Sequence, residues 1–551
     1  MPVDPFGVAI GLGGILLAFK GVVDTINLFD LILAADNGSK HLALKYYIER
    51  HRLRIWGDEF KAADEVNSPL LGQPKATRIL IAGILAEIRA THDLSEKYLP
   101  RYQLTSPTIP DSHFEESSLD IDGKVVAAMK ITRDERPTKH RVLWATRDKG
   151  KFTEIIKRLQ SLNNDLYAVL PTDNTHALAT ALSSYLLPKL QDQMSLLALQ
   201  QIDTTNDPLL VLAARIKQLN DAPESETAQQ ATWLQYGTSF QTIRANIGKV
   251  REEGTLDSAG SLGERSWIEW KTVKTNLNAV NAKVSSQRIE TLAVLLSTAS
   301  AADFRIPTCS GLLEDLEYKA RAGGPSRRLG FVFRFPEEAA PSSQLITLRE
   351  LLLREDQSPL LSDRFALAYK LASALSLFHA SRWLHKGFRS DNIIFFTSKD
   401  GTPIISEPYI TGFEYSRPEG QASIDVITTG NAELDLYYHP DVGVQGFGKF
   451  GKLRDIYSLS VVLFEVALWR PMKEIIVEDD QIQLEGMNLS QIRALMLDAV
   501  PMLGSYVGPA YRDAVRVCLT GDFNDPADDD NTELPRAFFS DVLKKLSYCR
   551  A

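Results

Sequence analysis

The sequence predicts two dissimilar parts, an N-terminal all-α helical bundle and a C-terminal α+β domain, and three observations carry that expectation. A chain of 551 residues is several times the roughly 150 of an ordinary domain, so more than one core is expected. Over the first 220 positions apolar residues recur at helical spacing and no segment reads as a strand. From residue 266 onward, runs rich in aromatic and β-branched residues alternate with helical stripes. The expected division is 1–220 for the bundle, 221–265 for a linker and 266–551 for the mixed domain.

In the bundle, residues 41–60 carry Tyr46, Leu53, Trp56 and Phe60 on one stripe, with Arg50, Arg52 and Arg54 interleaved as a solvated face. Binding of anionic lipid by these arginines is the lesser alternative. Residues 76–99 follow with Leu80, Ile84, Ile88 and Leu99, and the segment 100–120, rich in Pro, Ser, Thr and Asp, reads as a loop. The clearest stripe is Phe152, Ile155, Leu159, Leu162, Leu166 and Val169, spaced by threes and fours. A helical pattern resumes over 176–219 with a bend expected at Pro188. Residues 221–265 are polar and Gly- and Ser-bearing, hence the linker, with a short helix expected near 233–243. Beyond it, 266–273 and 329–335 read as strands and 280–299 as a helix. Residues 363–380 form another, with Leu367, Leu371, Leu375 and Phe378 on one face.

The first residues have a character of their own. Phe6 to Phe19 is 14 residues without a charge, shorter than the roughly 20 of a spanning helix. The only flank before it is MPVDP, with Asp4, so it is not a secretory signal. Leu28 to Ala35 continues the apolar character. Gly7, Gly11, Gly13 and Gly14 each cost a helix up to about 1 kcal/mol relative to Ala, and small residues of this kind permit close helix packing in lipid. Extended through Val22 and Val23 the segment is long enough to span, with Lys20 snorkelling or facing a pore. Two readings stay open: a first bundle helix that stays buried, or one that leaves for a membrane. No strand precedes Gly11, Gly13 and Gly14, so they are not a dinucleotide fingerprint.

Composition narrows the function classes. With 44% hydrophobic and 24% charged residues and a mean hydropathy of −0.13, the chain is neither collagen-like, low-complexity nor multi-spanning. Lys and Arg number 61 against 70 Asp and Glu, a net charge of −9, which argues against gripping a nucleic-acid backbone. Cys309, Cys518 and Cys549 are too few and scattered for a disulfide framework or a zinc site, which points to a reducing, cytoplasmic setting. No H-E-x-x-H supports a metal and no G-x-S-x-G a hydrolase.

The run His385 to Phe395, HKGFRSDNIIF, resembles the catalytic loop of protein kinases, H-R-D-x-x-x-x-N followed by apolar residues. His385 and Asn392 stand at the His and the metal-binding Asn, but Gly387 stands at the catalytic Asp. Gly412-Phe413-Glu414 matches D-F-G with its Asp replaced by Gly412; Glu414 lies two residues out of register. YYHPDV (437–442) resembles a degenerate A-P-E region, and 455–470 the helix that anchors the large lobe, with Asp455 at its buried Asp. Lys271 matches the strand lysine and Glu290 is its candidate helix partner, although GTLDSAGSLG (254–263) is a poor glycine-rich loop. A glycine neither accepts the hydroxyl proton nor holds Mg²⁺, so phosphoryl transfer loses both its base and its metal ligand. The resemblance implies a two-lobed kinase-like domain without catalysis, a pseudokinase. For Lys271 and Glu290 three roles remain: solvated surface charges, a folding ion pair, or the remnant of an ATP site that binds nucleotide without turnover.

Two further stretches, His140 to Pro171 and LALKYYIERHRLRIWGDEF (42–60), with the glycine-bearing start, resemble the HeLo domain of filamentous fungi, the helical prion-inhibition and propagation domain. The resemblance covers roughly residues 5–215, with Trp56 and Trp144 in the family's sequence contexts. It implies a cell-death or heterokaryon-incompatibility effector, quiescent when folded, that self-associates and engages membrane lipid once its N-terminal helix is released. It also implies an upstream receptor of the NLR type. The alternative is an unconventional Ser/Thr kinase that uses the bundle for recruitment.

Overall fold

A computed structural model describes residues 40–62, 68–96, 149–169, 180–190, 193–200 and, from 208 to 550, all but short internal stretches. The apolar start Phe6–Phe19, the run 28–35, the loop 100–120, Leu99, Trp144 and Glu414 lie outside the described residues. Packing divides the chain into two units, Met1–Leu182 with Leu190–Asp207, and Ser183–Lys189 with Pro208–Ala551.

The described part of the first unit is helical: α1 (Lys40–Glu59), α2 (Lys75–Glu96), α3 (Lys149–Ala168) and α4 (Gln193–Gln200). Helix α3 packs against both α1 and α2, and α4 packs on α1. Their core gathers Tyr46, Leu53, Trp56 and Phe60 with Ile84, Leu85, Ile88, Phe152, Leu159 and Leu166, so the stripes read in α1 and α3 face inward. In α2 the buried face runs through Ile81, Ile84, Leu85 and Ile88, and Leu80 is 54% exposed. Positions i, i+3, i+4 and i+7 make the contiguous stripe, and Leu80 falls to its side.

Arg52 is a correction to the solvated arginine face. Its side chain is 5% exposed, 3.3 Å from Glu49, and it donates to Asn164 Oδ1 at 2.8 Å. Its guanidinium lies over the Tyr167 ring, 4.8 Å from the centroid. Asn163 donates to the same Glu49 oxygen, Oε2, at 2.8 Å. A charge read as surface is thus a cross-link between α1 and α3, tolerable inside because each partner is hydrogen-bonded.

The second unit opens with helices α5 (Pro208–Asp221) and α6 (Glu224–Ala228). An antiparallel sheet follows, built from β1 (Phe240–Thr242), β2 (Arg251–Leu256), β3 (Glu264–Lys274), β4 (Cys309–Glu314) and β5 (Ser326–Arg334) in the order β1-β2-β3-β5-β4. Helix α7 (Ala279–Thr298) connects β3 to β4 and packs on α6 and β4. One sheet face buries Leu256, Ile268, Trp270, Leu313 and Val332. Gly330 is required there, since a Cβ would stand 2.4 Å from Ile268 Cγ2.

Residues 221–265 are therefore not a linker where they are described. They supply α6, β1, β2 and the start of β3, and the helix expected near 233–243 is replaced by a Trp233–Leu312 bridge and by β1. The composition misled because the charges of β2 are spent across the sheet. Arg251 pairs with Glu269, Glu252 accepts the Trp270 indole N–H at 2.9 Å, and Glu253 meets Arg265 at 2.8 Å.

The rest of the unit is mostly helical: β6 (Leu345–Thr347), α8 (Leu348–Leu352), α9 (Leu361–Ala380), short strands β7 (Trp383–Leu384), β8 (Ile393–Phe396), β9 (Tyr409–Ile410) and β10 (Arg417–Pro418), then α10 (Ala432–Asp435), α11 (Lys452–Leu468), α12 (Met472–Ile476), α13 (Leu489–Val507), α14 (Pro509–Thr520), α15 (Leu534–Phe538) and α16 (Lys544–Ser547). Helix α9 packs on α11, and α11 packs on α14. Leu367, Leu371, Leu375 and Phe378 of α9 are all buried, as their spacing predicts. The pattern over 176–219 is broken rather than bent: residues 180–186 are helical, Pro188 sits in a 3-10 turn, and α4 and α5 start afresh. Cys309, Cys518 and Cys549 are buried free thiols, and burial raises the first to about 12.

The frame of α2 makes a direct prediction. Ile81→Ala destabilises the first unit by about 2–5 kcal/mol, and Leu80→Ala leaves it within about 0.5 kcal/mol. Urea unfolding followed by circular dichroism separates the two.

Candidate functional site

The site is built on the loop between β7 and β8 and on the residues after β9. Helix α9 ends at Ala380, and Arg382 turns the chain with φ +57°. The loop is then seized by α11. Asp455, in the first turn of that helix and wholly buried, accepts the backbone N–H groups of His385 at 2.7 Å and Lys386 at 2.8 Å. Lys386 takes φ +65° to present its N–H, a strained conformation for a residue with a side chain.

His385 is consumed by the scaffold. Its Nδ1 accepts from Gly387 N–H at 3.2 Å, and its Nε2 donates to the Thr411 carbonyl at 3.0 Å. Burial lowers it to about 4, so the ring is neutral near pH 7 and neither nitrogen faces a substrate. Phe413 packs edge-on against it at 4.6 Å, with Phe378 and Trp383 around.

Asn392 closes the loop, donating to the Gly387 carbonyl at 2.8 Å, while its Oδ1 accepts from Arg251 at 3.1 Å. Arg251 also donates to Asp391 O at 2.9 Å, Thr411 Oγ1 at 2.7 Å and Glu269 Oε1 at 2.9 Å. The second oxygen of Glu269 accepts the Gly412 N–H at 2.9 Å. The sheet is thus tied to the loop by one arginine and one carboxylate, facing partners in the β2–β3 register.

Gly412 is held to glycine by space and by its positive φ, whereas the fit at Gly387 is only tight. A Cβ on Gly412, whose φ is +77°, would stand 2.1 Å from Asn392 Cγ; one on Gly387 would stand 3.2 Å from the Gly412 carbonyl. An aspartate at 412 is incompatible with Asn392 as placed. Lys271 is half-buried on the same face of β3 as Glu269, opposite Leu329. Glu290 on α7 accepts from the Trp233 indole and faces Arg327, and burial raises its carboxyl. No ion pair joins Lys271 to Glu290 among the described residues. The β3 residue that reaches the loop is Glu269. A charge at the buried rank of an apolar strand, between Trp267 and Lys271, was the available signal; Arg251 had none, since it lies in polar sequence.

A second buried network adjoins the loop. Ser390 Oγ, Tyr437 OH and Glu465 Oε1 follow each other at 2.7 Å steps, and Glu465 also accepts the Met472 N–H at 2.9 Å. Burial pushes Glu465 up to about 7. What the arrangement can do chemically is hold backbone in place. Among the described residues no group of His, Cys, Asp and Glu forms a metal cluster, and no helix is long and apolar enough to cross a membrane.

Two predictions follow from this geometry. Gly412→Asp destabilises the second unit by about 3 kcal/mol or more, through overlap with Asn392 and a strained φ; a drop in thermal midpoint checks it. Glu465 is neutral in the fold and ionised in the unfolded chain between pH 4.5 and about 7. Its contribution to stability therefore declines by about 3 kcal/mol as pH rises through that window. His385, lowered from 6.5 to about 4, acts oppositely and loses stability as pH falls from 6.5 toward 4. Unfolding midpoints from pH 5 to 8 for the native chain and Glu465→Gln read the first slope, which the substitution removes.

Comparison with known families finds two matches. Residues 7–199 match the HeLo family, described as prion-inhibition and propagation, and residues 313–547 match a domain of unknown function, DUF7580. A comparison with curated proteins finds no match. The N-terminal part of the chain is thus similar to the HeLo family, and the domain that follows is similar to a family without an assigned function.

Proposed function

We propose that the chain is a non-enzymatic signalling effector of the fungal cell-death or incompatibility type. Its HeLo region self-associates and engages membrane lipid, and the second unit restrains or triggers it. The observation that carries the reading is the HeLo match over residues 7–199. An upstream receptor of the NLR type is the proposed source of the signal.

The second unit is read as a degenerate, two-lobed kinase-like domain. Support comes from the order of its elements, a five-stranded sheet with a helix between β3 and β4, followed by a helical region. Further support comes from the placing of His385, Asn392 and Phe413 on one loop cluster with Asp455 beneath. Its lack of catalysis is argued from chemistry. Gly387 and Gly412 supply neither base nor metal ligand, and the carboxamide of Asn392 is spent on Gly387 and Arg251.

The test is conditional expression of the full chain in a filamentous fungus, beside a chain lacking residues 1–20. The reading expects dose-dependent loss of viability with dye uptake in the first and survival in the second. Death that persists without residues 1–20, or survival at every dose of the full chain, would contradict it.

A further inference from the structure

Glu465 of α11 is 1% exposed, and its two oxygens are unequally served. Oε1 accepts the Tyr437 hydroxyl at 2.7 Å and the Met472 N–H at 2.9 Å. Oε2 is also buried, and among the described residues nothing donates to it. The Met472 bond caps α12, whose N-cap Pro471 brings no side-chain acceptor of its own. Beyond Tyr437, Ser390 Oγ extends the chain at 2.7 Å into the 3-10 turn Ser390–Asn392. One carboxyl thus ties both α12 and the turn of the candidate site to α11.

The charges on the surrounding elements do not neutralise it. Arg349 of α8 stands 3.9 Å from Asp391 and pairs with Glu433, as does Lys473 of α12. Arg364 of α9 donates to the Ala467 carbonyl, and Arg493 of α13 to those of Leu519 and Thr520. Tyr511 of α14 donates to the Leu463 carbonyl. Asp391, in the turn itself, adds a like charge.

A carboxyl so placed keeps its proton near neutrality and gives it up when water reaches it. Burial, the largest cause, raises Glu465 from its ordinary 4.5 to about 7. Any opening that wets it is therefore favoured as pH rises. Which opening comes first follows from size. Helices α9, α11 and α14 have 20, 17 and 12 residues, whereas α12 has five and the turn three. The short covers have the fewest bonds to lose.

We propose that the chain Ser390–Tyr437–Glu465–Met472 is a proton-operated latch in the second unit. It is closed while Glu465 holds its proton, and it releases the turn Ser390–Asn392 and α12 when the proton leaves, with the long helices in place. The step is proton exchange with solvent: the Glu465 O–H breaks to a carboxylate and a hydrated proton. Tyr437 keeps its own proton, since burial raises it well above the usual phenol range. Such a release is local and precedes any loss of the fold. It holds whatever the first unit does.

Hydrogen exchange of the full chain, read by mass spectrometry at pH 6 and pH 8, tests it. Glu465→Gln measured at the same pH divides out the intrinsic pH dependence of amide exchange. A group at about 7 when closed and 4.5 when open raises the opening constant about ten-fold between these pH values. The native-to-variant ratio is expected to rise by that factor in peptides covering 389–392 and 472–477, while amides of α9 and α14 still retain hydrogen. Ser390→Ala cuts the tie between the turn and Tyr437, so α12 keeps its response and the turn loses it. That comparison needs only the native chain beside it and stands should Glu465→Gln fail to fold. The latch is overturned if the ratio does not change with pH, if these peptides exchange no faster than α9 and α14, or if the turn responds in Ser390→Ala as in the native chain.

Discussion

A carboxylate with no exposed surface, Asp455, holds the N–H groups of two successive residues, His385 and Lys386, and most of the candidate site depends on that grip. Taking a carboxylate out of water is costly, and two charge-assisted hydrogen bonds offset the loss only while the loop stays where it is. Holding it there forces Lys386 to a positive φ, turns His385 into the Thr411 carbonyl and brings Gly387 under Asn392. Asn392 in turn leaves no room for a side chain at Gly412. Each step follows from the one before, so α11 sets the whole arrangement from beneath.

The same contacts occupy the polar atoms that reactive chemistry would require. A general base needs a free lone pair near its working pH, and a metal ligand needs an uncommitted oxygen. His385 has both nitrogens engaged. Glu269 binds Arg251 with one oxygen and Gly412 with the other, and Asn392 is used at both ends. Polar groups that in an active site would face a substrate are turned on one another, which gives a stiff join between sheet and loop.

Legibility in the sequence followed periodicity closely. The stripes of α1, α3 and α9 face their cores because burial of a helix face is written in residue spacing. The strands at β3 and β5 and the helix at α7 emerge within a few residues of where their composition put them. Charge was the blind spot. Arg52, read as solvated, is a buried cross-link, and residues 251–256, read as linker, are a strand whose charges pair across the sheet. A charged side chain shows its type in the sequence but not its partner, and the partner decides whether it is inside. The loop of His385, Gly387, Asn392 and Gly412 was legible as a motif. Its closure by Arg251 and Glu269 was not, because those residues lie more than a hundred positions away.

On the function proposed here, the second unit works as a scaffold and not as a catalyst. The most direct measurement is transfer of the γ-phosphate from Mg²⁺–ATP by the purified full chain, to itself and to generic Ser/Thr protein substrates, with Lys271→Ala beside it. No transfer above background is expected in either protein. Transfer by the native chain that disappears in Lys271→Ala would contradict it and would make the alternative, an unconventional kinase with a recruitment bundle, the better reading.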